Sequence, residues 1–254
     1  MMIPLVILGG FMSLVGVLSM ARGREDLARR RRILSTPTSR ITEAQGGLVE
    51  IAGRLVVGEK GTLTAPFSGR QAVFVRVLVE EYRQRGKSGT WVTVFSESMS
   101  REFYVEDGSG ERARIDPTGA RFVLDRQKIA SSGTFRDPPP ALAEFLAQHG
   151  LESTSWLGFN KSMRYEEELV AVGDTVYALG PSRREAGPPA LDGYRTGATT
   201  QVVLASMGTG DGELLVSNKA EKELVSKMLR VFVVGAVVAA LGLAVVAAGL
   251  LASG

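Results

Sequence analysis

The chain has 254 residues, with 30 Lys plus Arg against 27 Asp plus Glu, one histidine and no cysteine. Without cysteine there is no disulfide, thiol nucleophile, Fe–S cluster or Cys-containing zinc site, and the composition fits a reducing compartment. The net charge of +3 is small, so its placement along the chain is more informative than its sum.

Residues 2–20 (MIPLVILGGFMSLVGVLSM) are apolar and predict a first membrane helix, near the short end for a bilayer and softened by Gly9-Gly10. A cleaved signal peptide competes, with Ser19-Met20-Ala21 as a weak small-x-small site. No Lys or Arg precedes the run and a dense basic run follows, which opposes that reading. Residues 21–46 predict a basic juxtamembrane linker. There Arg22, Arg24, Arg29, Arg30, Arg31, Arg32 and Arg40 outweigh Glu25 and Asp26. Positive residues beside a membrane helix mark its cytoplasmic side. The first six arginines are candidate contacts for anionic headgroups, each contributing about 1 kcal/mol near the surface. A topology signal alone is the blander reading. Nucleic acid is the other partner of such a run, and it is set aside because Arg22 adjoins the bilayer segment.

From Gly47 short β-rich runs alternate with turns. Residues 47–57 (GLVEIAGRLVV) predict a strand, and Gly58-Glu59-Lys60-Gly61 a turn. Thr64-Ala65-Pro66-Phe67-Ser68-Gly69 predicts an extended corner. Residues 72–82 (AVFVRVLVEEY) form the strongest strand signal, and 91–96 and 102–106 predict two more. Asp107-Gly108-Ser109-Gly110 predicts a tight turn into a strand at 112–115, with a further short strand at 121–124. Such spacing favours a barrel or sandwich over a parallel sheet.

Residues 131–137 predict a polar loop, closed by Pro138-Pro139-Pro140, which opens a helix at 141–149. Leu142, Phe145 and Leu146 give that helix one apolar face, and His149 stands at its C-terminus, where local capping is the expected role. Strands are predicted at 163–172 and 175–179, the second ending before Gly180-Pro181, then a loop at 187–193 and strands at 201–205 and 213–217 flanking a hairpin loop at 208–212. Glu166, Glu167 and Glu168 invite a metal-site reading, but neighbours on a strand point to opposite faces and do not converge. Asn218 with Glu221 reads as a capping box. It starts an amphipathic helix that runs into a second membrane helix at 231–252 (VFVVGAVVAALGLAVVAAGLLA). That run has no charge and is long enough for a hydrocarbon core of about 30 Å. Gly235, Ala239 and Gly242 leave one face thin for another helix. Lys219, Lys222, Lys227 and Arg230 precede the run, so both flanks place the middle of the chain in the cytoplasm.

No catalytic constellation emerges. Residues 53–60 lack the Gly-Lys-Ser/Thr of a phosphate loop, and Gly208–Gly212 lacks a strand-to-helix context and a third dinucleotide-site glycine. There is no Gly-x-Ser-x-Gly elbow, the single histidine has no evident acid partner, and Asp107 and Asp116 are turn carboxylates.

The order of pieces resembles the GIDE domain, also called BAM (beside-a-membrane), over roughly residues 47–251. The resemblance is carried by Leu63-Thr64-Ala65-Pro66-Phe67-Ser68-Gly69, Val105-Glu106-Asp107-Gly108-Ser109-Gly110, Arg164-Tyr165-Glu166-Glu167 and Val172-Gly173-Asp174-Thr175-Val176-Tyr177-Ala178-Leu179-Gly180. This domain lies between the two membrane helices of mitochondrial E3 ubiquitin ligases such as MULAN, and related proteins occur in bacteria. The ligase activity there resides in a zinc-holding RING after the second membrane helix. This chain has no cysteine to build one, so the ligase label and its catalytic residues do not transfer. Pro66, Gly69, Asp107, Gly110, Arg164, Glu166, Gly173, Asp174 and Gly180 match the family's motifs, with no role attached.

The expectation is therefore an α+β membrane protein with a β-rich, barrel- or sandwich-like cytoplasmic domain (residues 47–217) between two transmembrane helices. It is read as a non-enzymatic binding or scaffold module in envelope or stress homeostasis, with no cofactor and no metal. Its partners are the lipid bilayer with its anionic headgroups, a protein of unknown identity and a second copy through helix–helix self-association. The alternative is a component of a ubiquitin-ligase-like system acting with a separate catalytic partner. The expected location is the bacterial inner membrane, or the mitochondrial outer membrane in a eukaryote.

Overall fold

The structure, a computed structural model, describes residues 3–86, 88–154, 160–187 and 200–251. Most of the loop expected at 187–193 lies outside them. The chain divides into two units. One is helical and is made from the two chain ends, through Thr38 and from Lys219. The other is β-rich, Ser39–Asn218. There are three α-helices among the described residues: α1 (Ile3–Ser35), α2 (Pro140–Gln148) and α3 (Glu221–Leu251).

In the helical unit α1 is one unbroken helix of 33 residues. Its first part is the expected apolar run, and residues 21–35, read from sequence as linker, continue it. Leu27, Ala28 and the arginines are good helix formers, and after Gly23 no Gly or Pro interrupts the run before Pro37. Pro37 disfavours the helical conformation of the residue before it, and α1 stops at Ser35.

Helices α1 and α3 pack antiparallel, seated on glycine. Gly9, Gly16 and Gly23 recur every seventh residue in α1, as Gly235 and Gly242 do in α3, and two turns return each to one face. A Cβ on Gly9 would lie 2.7 Å from the carbonyl oxygen of Gly242, one on Gly16 2.7 Å from Ala239 Cα, and one on Gly242 2.5 Å from Ser13 N. No side chain fits there, so the backbones touch directly. The thin face expected on α3 is occupied by α1 of the same chain.

Glu221 and Glu223 place negative charge at the N-terminus of α3, and Lys219 pairs with Glu223. The expected capping box does not form. The helix begins at Glu221, beyond the reach of an Asn218 cap, and the Asn218 amide donates instead to Leu169 O (3.3 Å) and Asp174 Oδ2 (3.4 Å).

The β-rich unit holds twelve strands among the described residues: β1 (Gly47–Val57), β2 (Leu63–Thr64), β3 (Gln71–Arg85), β4 (Ser88–Ser100), β5 (Phe103–Glu106), β6 (Arg112–Ile115), β7 (Arg121–Phe122), β8 (Gln127–Ser132), β9 (Met163–Ala171), β10 (Thr175–Ala186), β11 (Thr200–Leu204) and β12 (Leu215–Ser217). Strands β1, β5, β6, β11 and β10 follow one another, and β10 returns to pair with β1, closing a five-stranded barrel. β12 and β7 extend it from β10. A second sheet runs β2-β3-β9-β8, with β4 along β3.

Three local expectations need correction. The segment 131–137 is not all loop: Ser131 and Ser132 close β8, opposite Arg164 and Met163. β10 does not stop before Gly180-Pro181 but runs to Ala186. Its outer edge is shared by two strands, β12 opposite 177–179 and β11 opposite 182–186. Pro181 sits at the gap between them, where its missing N–H deprives no ladder partner, while its carbonyl accepts from Ala205 N–H (3.2 Å). Residues 208–212 likewise do not join a hairpin, because β11 and β12 lie one after the other along β10 instead of against each other.

The barrel core is built from alternating residues such as Ile51, Phe103, Val105, Ile115, Val176 and Leu204. Phe74 of the second sheet joins it, stacked on Phe122 at 3.7 Å between centroids. The other face of the second sheet, with Val75, Val77, Val79 and Tyr165, is covered by Phe67 and by Leu142, Phe145 and Leu146 of α2.

Candidate functional site

The helical unit presents an apolar exterior. Phe232–Leu250 of α3 is long and apolar enough to cross a bilayer, while Ile7–Ala21 of α1 is a shorter apolar stretch. Ile7, Phe11 and Leu18 of α1 and Val234, Leu241 and Leu250 of α3 are all exposed. The register that sets Gly9 against Gly242 and Gly23 against Phe232 aligns the two stretches side by side.

Of the candidate lipid-contact arginines, Arg24 and Arg31 are exposed and Arg29, Arg30 and Arg32 half-buried, all on α1. Arg29 is held by Asp26 one turn earlier (3.1 Å). The Arg22 side chain lies outside the described ones.

The motif residues of the β-rich unit separate into two groups, and most of them build turns. Gly69 has φ +70° and donates to Ala65 O, closing the corner that contains Pro66. Asp107 Oδ2 accepts the Ile41 N–H (2.7 Å), and Oδ1 accepts the Ser109 N–H (2.9 Å) and hydroxyl. Burial works to raise the Asp107 pKa, but these donors outweigh it and hold the carboxyl below its ordinary value. Gly110, at φ +80°, finishes that turn. Gly173, at φ +94°, turns β9 into β10, and Asp174 Oδ2 accepts the Ala171 N–H (3.0 Å). Gly180 is bare because Leu214 lies against it: a Cβ there would stand 2.8 Å from Leu214 Cδ1.

Arg164 and Glu166 belong to the second group, a charged network on one face of the second sheet. Glu80, Glu166 and Glu168 are buried there beneath the partly exposed Arg76, Arg126 and Arg164. Arg76 reaches Glu168 at 2.6 Å, Arg126 reaches Glu80 and Glu168 at 3.4 and 3.3 Å, and Arg164 pairs with Glu80 and with Glu166 at 3.3 Å. Register explains it: Glu80 faces Arg164 and Arg76 faces Glu168 across the β3–β9 ladder. Three carboxylates under three guanidiniums leave no net charge for an ion to satisfy. No group of three or more His, Asp or Glu able to hold a metal occurs among the described residues.

Glu167 points the other way, as strand alternation requires. It is fully buried, and its Oε1 accepts the N–H groups of Phe67 (2.6 Å) and Ser68 (3.3 Å). The carboxylate thus ties β9 to the corner at Pro66.

His149 caps α2. Its Nδ1 lies 2.8 Å from Phe145 O, its ring stacks on Phe145, and Nε2 is 3.7 Å from Glu97. A separate cleft of about 270 Å³ is lined by Lys60, Glu102, Tyr104, Arg114 and Gln201 among others. Arg114 there is bound to Glu102 (3.1 Å) and Glu185, and Glu102 also pairs with Lys60 (3.3 Å), so its charges neutralise one another. Sequence reasoning missed both networks. The only signal for the first was opposite charge at alternate positions of the strands at 72–82 and 163–172, and this becomes informative only when their register is known.

Comparison with protein-family models, with curated proteins and with solved structures returns no match.

Proposed function

We propose that the α1–α3 hairpin anchors this protein in a membrane and that the β-rich unit serves as a non-enzymatic binding or scaffold module on the cytoplasmic side. One observation carries the reading: two antiparallel helices, packed backbone to backbone, leave their large apolar side chains outward along a shared length. In water that surface would be a wide contiguous apolar patch, whereas in a bilayer it is ordinary. The arginines at 24 and 29–32 follow the apolar stretch on α1, as Lys222 precedes that on α3, which supports a cytoplasmic position for the chain between them. The motif order shared with the GIDE domain supports the same arrangement. In the β-rich unit the buried Glu80, Glu166 and Glu168 are already matched by arginines, and the histidine ring is engaged by Phe145 and Glu97. Both favour binding over catalysis.

The test uses the natural absence of cysteine. Gly108 lies exposed in the β5–β6 turn with open space around it, so Gly108→Cys is a suitable reporter. In intact cells an impermeant maleimide should label a cysteine at Gly254 and leave Gly108→Cys unlabelled until the membrane is permeabilised. The reverse pattern overturns the topology, and extraction of the protein by carbonate without detergent overturns the anchor.

A further inference from the structure

One end of the second sheet gathers exposed aromatic and cationic side chains. Strands β8, β9, β3 and β4 are level along one row, with Ser132 opposite Met163, Met163 opposite Glu81, and Glu81 opposite Val92. Beyond that row β3 and β4 continue alone as a two-stranded ribbon to Arg85 and Ser88. At its root Tyr82 and Trp91 face each other, 5.4 Å between centroids, and are 42% and 38% exposed. The Arg164 guanidinium lies over the Trp91 ring at 4.6 Å. Arg83 is exposed on the same ribbon, paired with Glu81 at 3.0 Å.

Past the same row, β8 leads into a tight turn at 133–136. It is closed by two backbone bonds, Gly133 N–H to Arg136 O (2.9 Å) and Arg136 N–H to Gly133 O (2.8 Å). The turn holds Phe135 out, 97% exposed, with Arg136 exposed beside it. A phenylalanine that fits no core and is fixed on a closed turn gains nothing from water. Asp137, next in the chain, is engaged by the Asn160 amide (2.5 Å), which ties the turn down.

We propose that this end of the sheet is a second membrane contact, at the interface and not across the bilayer. Phe135 enters the acyl boundary, Tyr82 and Trp91 sit at headgroup level, and Arg83 and Arg136 meet anionic phosphates. Aromatic rings with one polar edge favour that depth, and guanidiniums pair bidentately with phosphate. The inference rests on the hairpin being a membrane anchor, which confines the β-rich unit near a bilayer and makes a weak contact sufficient.

The test keeps the full chain in nanodiscs of phosphatidylcholine with phosphatidylglycerol. An environment-sensitive fluorophore is placed singly on Phe135→Cys, on Gly108→Cys as a solvent reference and on Leu241→Cys as an anchor reference. Phe135 contributes no core contact, so its replacement leaves the fold intact. The expected result is blue-shifted emission at 135, quenched by lipids brominated on the acyl chain. Both effects should diminish in pure phosphatidylcholine and when Arg83→Gln and Arg136→Gln are added. Emission at 135 matching that at 108 while 241 is quenched overturns the second contact, leaves the anchor standing and returns the patch to a protein partner. Absence of quenching at 241 overturns the anchor and, with it, this inference.

Discussion

Replacing Glu167 with alanine removes the acceptor of two backbone N–H groups, those of Phe67 and Ser68. Glu167 is 0% exposed, its bond to Phe67 N–H is 2.6 Å and that to Ser68 N–H 3.3 Å. A buried donor left unpaired costs about 1–3 kcal/mol, and the shorter bond falls at the upper end. The truncation also leaves a void between β9 and the corner. Against this, alanine relieves the desolvation of a carboxylate whose Oε2 has no partner. The balance is a loss of about 3 kcal/mol, which for a unit of this size lowers Tm by roughly 6–12 °C. Glu167→Gln keeps an acceptor at the same place and should lose only about 1 kcal/mol. Thermal unfolding in detergent, followed by tryptophan fluorescence and near-UV circular dichroism, measures both variants. A Tm for the alanine variant within about 2 °C of the parent, or equal losses for alanine and glutamine, would refute the reasoning.

Two further outcomes follow from the same geometry. Asp107 has a folded pKa below its ordinary value of 3.8, so its stabilising effect is complete above that value and is lost as pH falls through the folded value. The stability gap between the parent and Asp107→Asn should therefore be constant from pH 7 to 5 and shrink below pH 4, read by denaturant unfolding; a gap that widens with acid reverses the sign and rules this out. Gly16→Leu forces a side chain into the backbone of Ala239 and should cost about 1–3 kcal/mol of helix pairing. Oxidative cross-linking of a Ser19→Cys, Gly235→Cys pair should be efficient in the parent and fall in the leucine variant, and unchanged cross-linking would show that the glycine stripe does not set the approach.

Local chemistry was legible in the sequence wherever it is governed by neighbours in the chain. The 47–57 and 112–115 strands, the Asp107–Gly110 turn and the helix after Pro140 each follow from φ/ψ preference and periodicity over a few residues. The apolar run of α3 follows from composition over about twenty residues. The failures share one cause: the deciding partner is distant in sequence. β8 is a weakly apolar strand that exists because β9 offers an edge. β10 runs through Gly180-Pro181 because two separate strands divide its far side. Asn218 leaves the helix end because Leu169 O and Asp174 lie nearer. The closing of the barrel through β1 and β10 and the assembly of Glu80, Glu166 and Glu168 beneath three arginines are likewise matters of register, which no single strand encodes. Sequence alone determined the two apolar segments, their arginine-rich flank and the β-rich middle, because these depend on transfer free energy and local backbone preference. Tertiary structure alone decided that α3's thin face is filled by α1, that most motif positions are turn-builders, and that Phe135, Tyr82 and Trp91 share one end of a sheet, because only folding brings residues that far apart into contact.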